Sequence, residues 1–281
     1  MSTAALRWMS ICNGLPATQL PVDDRSAALG DGLFETILVR RAQAVWLEEH
    51  LQRMAAGCVR LDLNFPLDAL QQEINTLLTG AVASDYSVLR LALGRKSAGA
   101  RGYAPASREA NRLIQLAAID RPRRDNWEVG IRAFICQTRL PETAATAGLK
   151  HNNRLAHVLA RAERSTTEFP EGVMLSNSGL VIEGVSSNVF LVIDGVLHTP
   201  LLELAGVEGV VRQEIFSIAE QLNIPCLVRR IRLDDIYRAQ EMFFCNSLAG
   251  IWPVHSLDCL HFAAPVLTAK LQSKLEALWY A

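Results

Sequence analysis

The most informative stretch of the sequence is GLKHNNRLAHVLARAE, residues 148–163. The i, i+3, i+4, i+7 spacing of its apolar side chains predicts a helix that buries one face. Asn152 or Asn153 could cap the start of this helix. Lys150 would then face the positive end of the helix dipole, which disfavours the charged form of its amine by a few tenths to about 1 kcal/mol. The predicted buried face consists of Leu155, Val158, Leu159 and Ala162.

Lys150 is the first candidate catalytic residue. A neutral lysine amine attacks carbonyl groups, and lysine loses its proton more readily when it is desolvated or near positive potential. From this stretch alone, a surface lysine whose ammonium reaches water is the stronger interpretation. Features elsewhere in the chain are needed to distinguish a catalytic lysine from a surface lysine.

The composition limits the class of protein. The chain has 281 residues, of which 50% are hydrophobic and 20% charged, and this fits one large or two modest globular domains. The formal net charge of -1 excludes a global field that would attract nucleic acid or an anionic membrane. We expect a small-molecule ligand instead.

The cysteines and the apolar segments bear on the cellular compartment. Six scattered cysteines without a CxxC pair are typical of reduced, core-filling thiols. The amino terminus lacks the continuous apolar stretch of a signal peptide, and no segment approaches the ~20 apolar residues of a membrane helix. The sequence therefore predicts a cytoplasmic protein. The six histidines have no metal-ligand spacing, so we expect no metal.

Strand-like and helix-like segments alternate irregularly, which favours an α+β fold. At residues 120–126 apolar side chains give way to DRPRRDN, the composition of an interdomain connector. We therefore expect a smaller amino-terminal domain, residues 1–119, and a larger carboxy-terminal domain, residues 127–281. The segments predicted before the connector are strands at 6–12, 34–40, 43–49, 87–93 and 112–118, and helices at 47–61 and 67–78.

Two further features have chemical potential. Glycines at 206 and 209 precede a predicted helix over 210–222, and free N–H groups at such a helix start bind anions, although a plain turn is the alternative. Glu183 lies among apolar residues of a predicted internal strand, where a carboxylate needs a proton or a cation. An arginine salt bridge is the structural alternative. An amine, an anion site and a buried carboxylate together would suit pyridoxal 5'-phosphate.

These features lie in segments that resemble the branched-chain-aminotransferase-like, fold-type IV group of pyridoxal-phosphate enzymes. The resemblance covers almost the whole chain. It implies two α/β-type domains with the cofactor in the interdomain cleft, and a homodimer. The segments that carry it, in the order of the family, are ALGDGLFETILV, HLQRM, ARGY, AGLKHNNRLAHVLARAE, VIEGVSSNVF, LAGVEGVVRQ and EMFFCNSLAGIWPV.

The resemblance also implies roles for single residues. Lys150 would form the covalent bond to the cofactor aldehyde and move protons, and Glu183 would keep the pyridine nitrogen protonated. Relatives often have threonine where this chain has Val211, which removes one hydroxyl contact but leaves the backbone N–H. The cofactor phosphate would be bound by Arg53, by the N–H groups of Val210 and Val211, and by the hydroxyl of Ser247.

Within the group the chain resembles the lyases that convert 4-amino-4-deoxychorismate to 4-aminobenzoate and pyruvate in folate biosynthesis. Thr36 stands where the branched-chain aminotransferases usually have glycine, and its hydroxyl could relay a proton to the departing enol group. Packing of a β-branched strand residue is the alternative role for Thr36. Arg101 and Tyr103 would bind a substrate carboxylate, and Asn246 belongs to the lyase pattern.

Two rival functions remain from the sequence. A D-amino-acid or branched-chain aminotransferase would use the same cofactor site. A non-catalytic metabolite-binding protein would keep the fold and lack the chemistry.

Overall fold

The computed structural model describes residues 8–22, 24–80, 84–99, 102–120 and 124–279. The chain divides into two compact units. The first unit comprises Met1–Arg121 and Lys150–Asn153, and the second comprises Pro122–Leu149 and Arg154–Ala281. The short segment around Lys150 thus belongs to the first unit, although the chain on both sides of it belongs to the second. Of the predicted connector, residues 121–123 lie outside the described part.

The first unit is built on a six-stranded sheet with the strand order β2-β1-β6-β5-β3-β4, in which all neighbouring strands are antiparallel. Its elements are β1 (Met9–Cys12), β2 (Leu15–Pro16), α1 (Arg25–Leu29), β3 (Gly32–Arg40), β4 (Gln43–Ala44), α2 (Leu47–Leu61), α3 (Leu67–Gly80), β5 (Tyr86–Arg95) and β6 (Ala110–Ala118).

Helices α2 and α3 contact β3 and β6 of this sheet, respectively. Both helices carry the apolar stripes that the sequence predicts, and burying such stripes provides most of the stability of short helices. The buried stripe residues are Leu51, Met54 and Cys58 in α2, and Leu70, Ile74 and Leu77 in α3.

The predicted strand over 43–49 is wrong beyond its second residue. Only Gln43 and Ala44 pair with β3, and α2 begins at Leu47. Trp46 takes a left-handed backbone conformation, with φ of 52°, and this ends the extended segment. Two glutamates in the first turn then favour the helix, because negative side chains stabilise a helix amino terminus.

The second unit contains a nine-stranded mixed sheet with the strand order β12-β11-β10-β13-β14-β7-β8-β9, and β15 pairs with β14. Its helices are α4 (Arg124–Glu128), α5 (Leu155–Ala162), α6 (Val210–Gln221), α7 (Leu233–Arg238) and α8 (Leu267–Trp279). Its strands are β7 (Ile131–Leu140), β8 (Glu171–Ser176), β9 (Val181–Gly184), β10 (Asn188–Ile193), β11 (Val196–Pro200), β12 (Cys226–Arg229), β13 (Glu241–Asn246), β14 (Gly250–Leu257) and β15 (Leu260–His261).

Both faces of the second sheet are packed. Ile131 and Ala133 of β7 belong to one core cluster, whereas Phe134 and Cys136 belong to another. With helices and strands mixed in both units, the α+β class is confirmed. In the parts of the chain that the structure describes, no helix is both long enough and apolar enough to cross a membrane.

The helix predicted over the stretch 148–163 begins later than expected, at Leu155. Its N-cap is Arg154, without a side-chain cap bond, rather than Asn152 or Asn153. The reason is that the preceding backbone pairs with β3 instead. The Phe34 N–H donates to the Lys150 carbonyl (3.0 Å), and the Asn152 N–H donates to the Gly32 carbonyl (3.0 Å). These groups are therefore not available for a helical turn.

The predicted buried face of α5 is wrong as well. Leu155, Val158 and Leu159 are 70%, 61% and 54% exposed. The inward face instead consists of Ala160, which is fully buried, and Ala156, which packs against the same core cluster. These small side chains let α5 approach β7 and β8 closely. A prediction from apolar spacing alone assigns the side with the larger apolar residues to the core, and in this helix that side is exposed.

Candidate active site

Lys150 lies against the edge of β3 in the first unit. Besides the two backbone hydrogen bonds, His151 forms an isolated β-bridge with Leu33. The Lys150 Nζ atom lies 4.6 Å from the centroid of the Phe34 ring. The position of the amine is therefore fixed by β3 through both backbone and side-chain contacts.

Thr36 shares one face of β3 with Phe34, since side chains two residues apart in a strand point to the same side. Its cross-strand partner on β5 is Arg90, whose guanidinium carbon lies 5.6 Å from the Phe34 ring centroid. Lys150 and Arg90 thus contact the same ring. The sequence interpretation missed Arg90, because its placement depends on the register between β3 and β5.

The opposite face of β3 carries a buried charged cluster. Glu35 is only 1% exposed and accepts from the Arg53 Nε atom (2.9 Å) and from Arg53 Nη2. The His50 Nδ1 atom lies 2.6 Å from the second carboxylate oxygen of Glu35. Arg53, the predicted phosphate ligand, is thus held by Glu35, which also contacts His50, and the sequence interpretation identified neither of these two residues. The pair could have been suspected from a glutamate at a buried strand position.

Charge and burial oppose each other in this cluster. Burial alone would raise the pKa of Glu35, but the charge of Arg53 and the hydrogen bonds from His50 and Arg53 lower it to about 2. Burial lowers the pKa of His50, and the positive charges of Arg53 and Lys150 lower it as well. The hydrogen bond and the negative charge of Glu35 raise it. His50 is therefore neutral near pH 7, and its Nδ1–H donates to Glu35.

Glu183 lies on β9, as predicted, and is 3% exposed. One carboxylate oxygen lies 3.0 Å from the His157 Nε2 atom, and the other accepts the Val207 N–H (2.8 Å). Among the residues that the structure describes, no lysine or arginine forms an ion pair with Glu183. The arginine salt bridge that the sequence left open is therefore not found there. A buried carboxylate of this kind fits a protonated ring nitrogen.

Gly206 lets the backbone approach Glu183. Its φ is +90°, and an added Cβ would lie 2.8 Å from Leu202 and 2.9 Å from Ile182. The next N–H, that of Val207, then reaches the carboxylate. The same segment pairs with Gly148, because the Gly148 N–H donates to the Gly206 carbonyl (2.9 Å). The loop before Lys150 and the loop before α6 are thus joined.

The start of α6 has the features of an anion site. Gly209 is the N-cap and supplies no side-chain cap. The first N–H groups of a helix have no intrahelical acceptor, and these include the N–H groups of Val210 and Val211. Both valines are buried. Because the Val211 side chain has no hydroxyl, this residue can offer an anion only its backbone N–H. An added Cβ on Gly209 would lie 2.0 Å from the Asn188 side-chain oxygen, so a larger residue at this cap would displace the Asn188 amide, which donates to the Val207 carbonyl (2.8 Å).

Ser247 lies in the turn between β13 and β14. The neighbouring Asn246 shapes this turn. Its side-chain oxygen accepts from the N–H groups of Leu248 (3.0 Å) and Ala249 (2.7 Å), and its amide donates to the Ser186 carbonyl (3.2 Å). Asn246 therefore fixes the backbone from which Ser247 projects.

Of the predicted carboxylate-binding pair, Arg101 lies outside the described residues. Tyr103 is 87% exposed, and its backbone is held by Arg25. The Arg25 guanidinium donates to the carbonyls of Gly102 (3.0 Å) and Tyr103 (2.9 Å) and forms an ion pair with Asp31. Arg25 is a further residue that the sequence interpretation missed.

The donor and acceptor groups of the two units fit pyridoxal phosphate chemically. In the first unit the Lys150 amine suits its aldehyde; in the second unit the Glu183 carboxylate, which has no lysine or arginine partner among the described residues, suits its ring nitrogen, and a glycine-capped helix start suits its phosphate. Within the described ranges, no group of three His, Cys, Asp or Glu side chains could hold a metal ion.

Comparison with known proteins adds independent information. The model of the family described as amino-transferase class IV matches residues 32–257. An aminodeoxychorismate lyase from Vibrio harveyi is 33% identical over 269 residues, which cover 94% of this chain and 98% of that protein. A bifunctional aminodeoxychorismate lyase / D-amino acid transaminase from Mycobacterium tuberculosis is 29% identical over 264 residues, which cover 87% of each.

Among solved structures, the crystal structure of 4-amino-4-deoxychorismate lyase from Pseudomonas aeruginosa superposes with a TM-score of 0.88. It is 42% identical in sequence, and the match covers 96% of this chain and 98% of that one. The similarity therefore spans both units.

Proposed function

Because this chain belongs to the class IV aminotransferase family, we propose that it is a pyridoxal-phosphate-dependent lyase that converts 4-amino-4-deoxychorismate to 4-aminobenzoate and pyruvate in folate biosynthesis. The structural observation that carries the proposal is the position of Thr36. It lies on the face of β3 whose Phe34 ring contacts the Lys150 amine. A hydroxyl there can serve a leaving group, whereas glycine could not.

Each cofactor group has a partner in this proposal. Lys150 would hold the cofactor through its aldehyde, and Glu183 would accept the N–H of the pyridine ring. When bound, pyridoxal phosphate supplies a ring that accepts the electron pair released at the substrate carbon. The phosphate would be bound by Arg53, by the N–H groups of Val210 and Val211, and by the Ser247 hydroxyl.

The protein residues then manage protons and orientation. The substrate amine would displace Lys150 from the aldehyde, and the released Lys150 amine would then remove the proton from the amine-bearing carbon of the substrate. Thr36 would relay a proton to the ether oxygen as the carbon–oxygen bond breaks, so that the enol of pyruvate leaves and tautomerises to pyruvate. The remaining ring becomes aromatic, which makes the step favourable.

The substrate has two carboxylates, and this calls for cationic or hydroxyl donors. Arg90 is our first candidate because its guanidinium lies over the ring that Lys150 also contacts. Arg101 and Tyr103 are the second set, on the loop whose backbone Arg25 holds. Asn246 acts through the turn that it stabilises.

The proposal includes a homodimer in the cytoplasm. The exposed apolar side chains on α5 support self-association, because a contiguous apolar surface marks an interaction site. All six cysteines are free, and this supports a reducing compartment. Sedimentation velocity of the purified protein would measure the oligomeric state.

The decisive experiment mixes the purified, cofactor-loaded protein with 4-amino-4-deoxychorismate and measures 4-aminobenzoate and pyruvate. We expect both products in equal amounts, and neither with Lys150→Ala. Release of pyridoxamine phosphate with D-alanine or a branched-chain amino acid, without aminobenzoate, would identify an aminotransferase instead. A protein that takes up no cofactor on borohydride reduction would be a binding protein.

A further inference from the structure

His157 is a half-buried histidine to which neither the sequence nor the proposed chemistry gives a role. It lies on α5 in the second unit, and its Nε2 atom is 3.0 Å from a carboxylate oxygen of Glu183. The two side chains are 14% and 5% exposed. Their contact is therefore largely shielded from water. A hydrogen bond to a carboxylate is stronger in such surroundings than in water.

The hydrogen-bond pattern identifies the tautomer of His157. Its Nδ1 atom is buried and has no hydrogen-bond partner among the described residues. A proton on Nδ1 would lack an acceptor, and a buried donor without an acceptor is costly. The ring proton therefore lies on Nε2, and Nε2–H donates to Glu183.

Glu183 consequently receives one donor on each oxygen. The Val207 N–H occupies the second oxygen at 2.8 Å. Two donors on opposite oxygens fix the plane of the carboxylate, because each oxygen must direct a lone pair at its donor. The remaining lone pairs then point in a defined direction. Only the side-chain donor, His157, can be altered without moving the backbone.

Packing does not account for the imidazole. Ala156 and Ala160 bring α5 onto its core cluster, and neither is polar. The Arg154 side chain lies near the ring, with Nη1 at 3.4 Å from Nε2, and another of its nitrogens donates to the Leu149 carbonyl at 2.9 Å. Arg154 thus connects the start of α5 to Leu149, the residue before Lys150. The short contact of the His157 ring is the one with Glu183.

We propose that His157 is a positioning residue that orients the Glu183 carboxylate so that it accepts the ring N–H of pyridoxal phosphate. The inference rests on the proposed function, since it takes Glu183 as the partner of the ring nitrogen. His157 does not touch the cofactor and acts only through Glu183. Its loss therefore changes the protonation of the ring nitrogen and the affinity for the cofactor.

The test uses full-length protein reconstituted with pyridoxal phosphate labelled with ¹⁵N in the ring, and it records the ¹⁵N chemical shift and the cofactor Kd. In His157→Phe we expect the resonance to move from the protonated towards the unprotonated position, and the Kd to rise about tenfold. In His157→Gln, an amide N–H can replace Nε2–H, so the shift stays near that of the parent. His261→Phe, which removes an exposed histidine of β15, is the control and should change neither value.

Two outcomes would overturn the inference. One is a folded His157→Phe protein with the ¹⁵N shift and Kd of the parent. The other is an equal change in the Phe and Gln variants, which would assign the effect to imidazole shape. If the Phe variant does not fold, His157→Asn replaces it, because the shorter amide does not reach Glu183.

Failure of the proposed function has a different signature. A parent protein that binds no pyridoxal phosphate, or a Glu183→Gln variant with the ¹⁵N shift of the parent, would remove Glu183 from its role. If Glu183→Gln alters the shift and His157→Phe does not, only the role of His157 is refuted.

Discussion

The buried cluster of Glu35, His50 and Arg53 makes the sharpest prediction for stability. Glu35→Gln removes the negative charge and leaves the Arg53 guanidinium, whose side chain is 15% exposed, without its counter-ion. The pKa of Glu35 lies at about 2 in the folded protein, against an ordinary value of 4.5. Each tenfold change in acid dissociation corresponds to about 1.4 kcal/mol, so the ionised carboxylate contributes about 3 kcal/mol at neutral pH.

The pH dependence has a definite sign. Because the folded-state pKa is lowered, the contribution of Glu35 is fully present above pH 4.5 and is lost as the pH falls towards 2. Glutamine does not titrate. The difference in unfolding free energy between parent and variant should therefore shrink from about 3 kcal/mol at pH 7 to about 1.4 kcal/mol at pH 3.

Urea unfolding followed by far-UV circular dichroism at both pH values measures this difference. Asp62→Asn is the matched control in the same unit. It removes an ion pair with Arg108 whose side chains are 73% and 63% exposed, and asparagine tolerates the left-handed backbone of residue 62. We expect the control to change stability by less than about 1 kcal/mol. A Glu35→Gln effect as small as that of the control, or one that grows on acidification, would refute the reasoning.

Three further substitutions test other parts of the structure. Thr36→Val keeps the β-branched shape and removes only the hydroxyl, so pyruvate release should slow about a hundredfold with the cofactor absorbance retained, and an unchanged kcat would argue against the lyase assignment. Glu241→Gln weakens the carboxylate that accepts three N–H groups at the start of α8, and should cost about 1–3 kcal/mol in urea unfolding, unless α8 is stabilised by packing alone. Ala160→Leu should cost about 1–3 kcal/mol by overpacking the core, whereas Ala162→Leu, at an exposed position of the same helix, should stay within about 0.5 kcal/mol, and the reverse order would restore the apolar face expected from the sequence.

Local patterns made part of this fold predictable. Helices α2 and α3 each carry a complete apolar stripe, so their bounds follow from neighbours within the same segment. The turn at Asp194 and Gly195 also follows from local sequence, because an Asp-Gly pair suits the positive φ, here 51° and 78°, that a two-residue hairpin needs. Glu183 was located for a similar reason, since a charged residue within an apolar strand is visible in the sequence alone.

Long-range pairing made the rest inaccessible. The position of Arg90 depends on the register of β3 against β5, and the partners of Arg53 depend on which face of β3 lies under α2. The face of α5 was misjudged because its inward side consists of alanines and a histidine bonded to Glu183. Apolar periodicity does not register small residues or buried polar pairs as core.

The late start of α5 changes the physical account of Lys150. A helix dipole acts within the first turn, and α5 begins only at Leu155, after backbone that pairs with β3. Lys150 therefore does not face the first turn of a helix, and this part of the prediction is wrong. What the structure supplies is the aromatic face of Phe34, which attracts a cation, and the Arg90 guanidinium over the same ring, which competes with a lysine cation for it. The environment of the amine is set by β3 and its partner β5, so substitutions at Phe34 or Arg90 should affect Lys150 more than changes within α5.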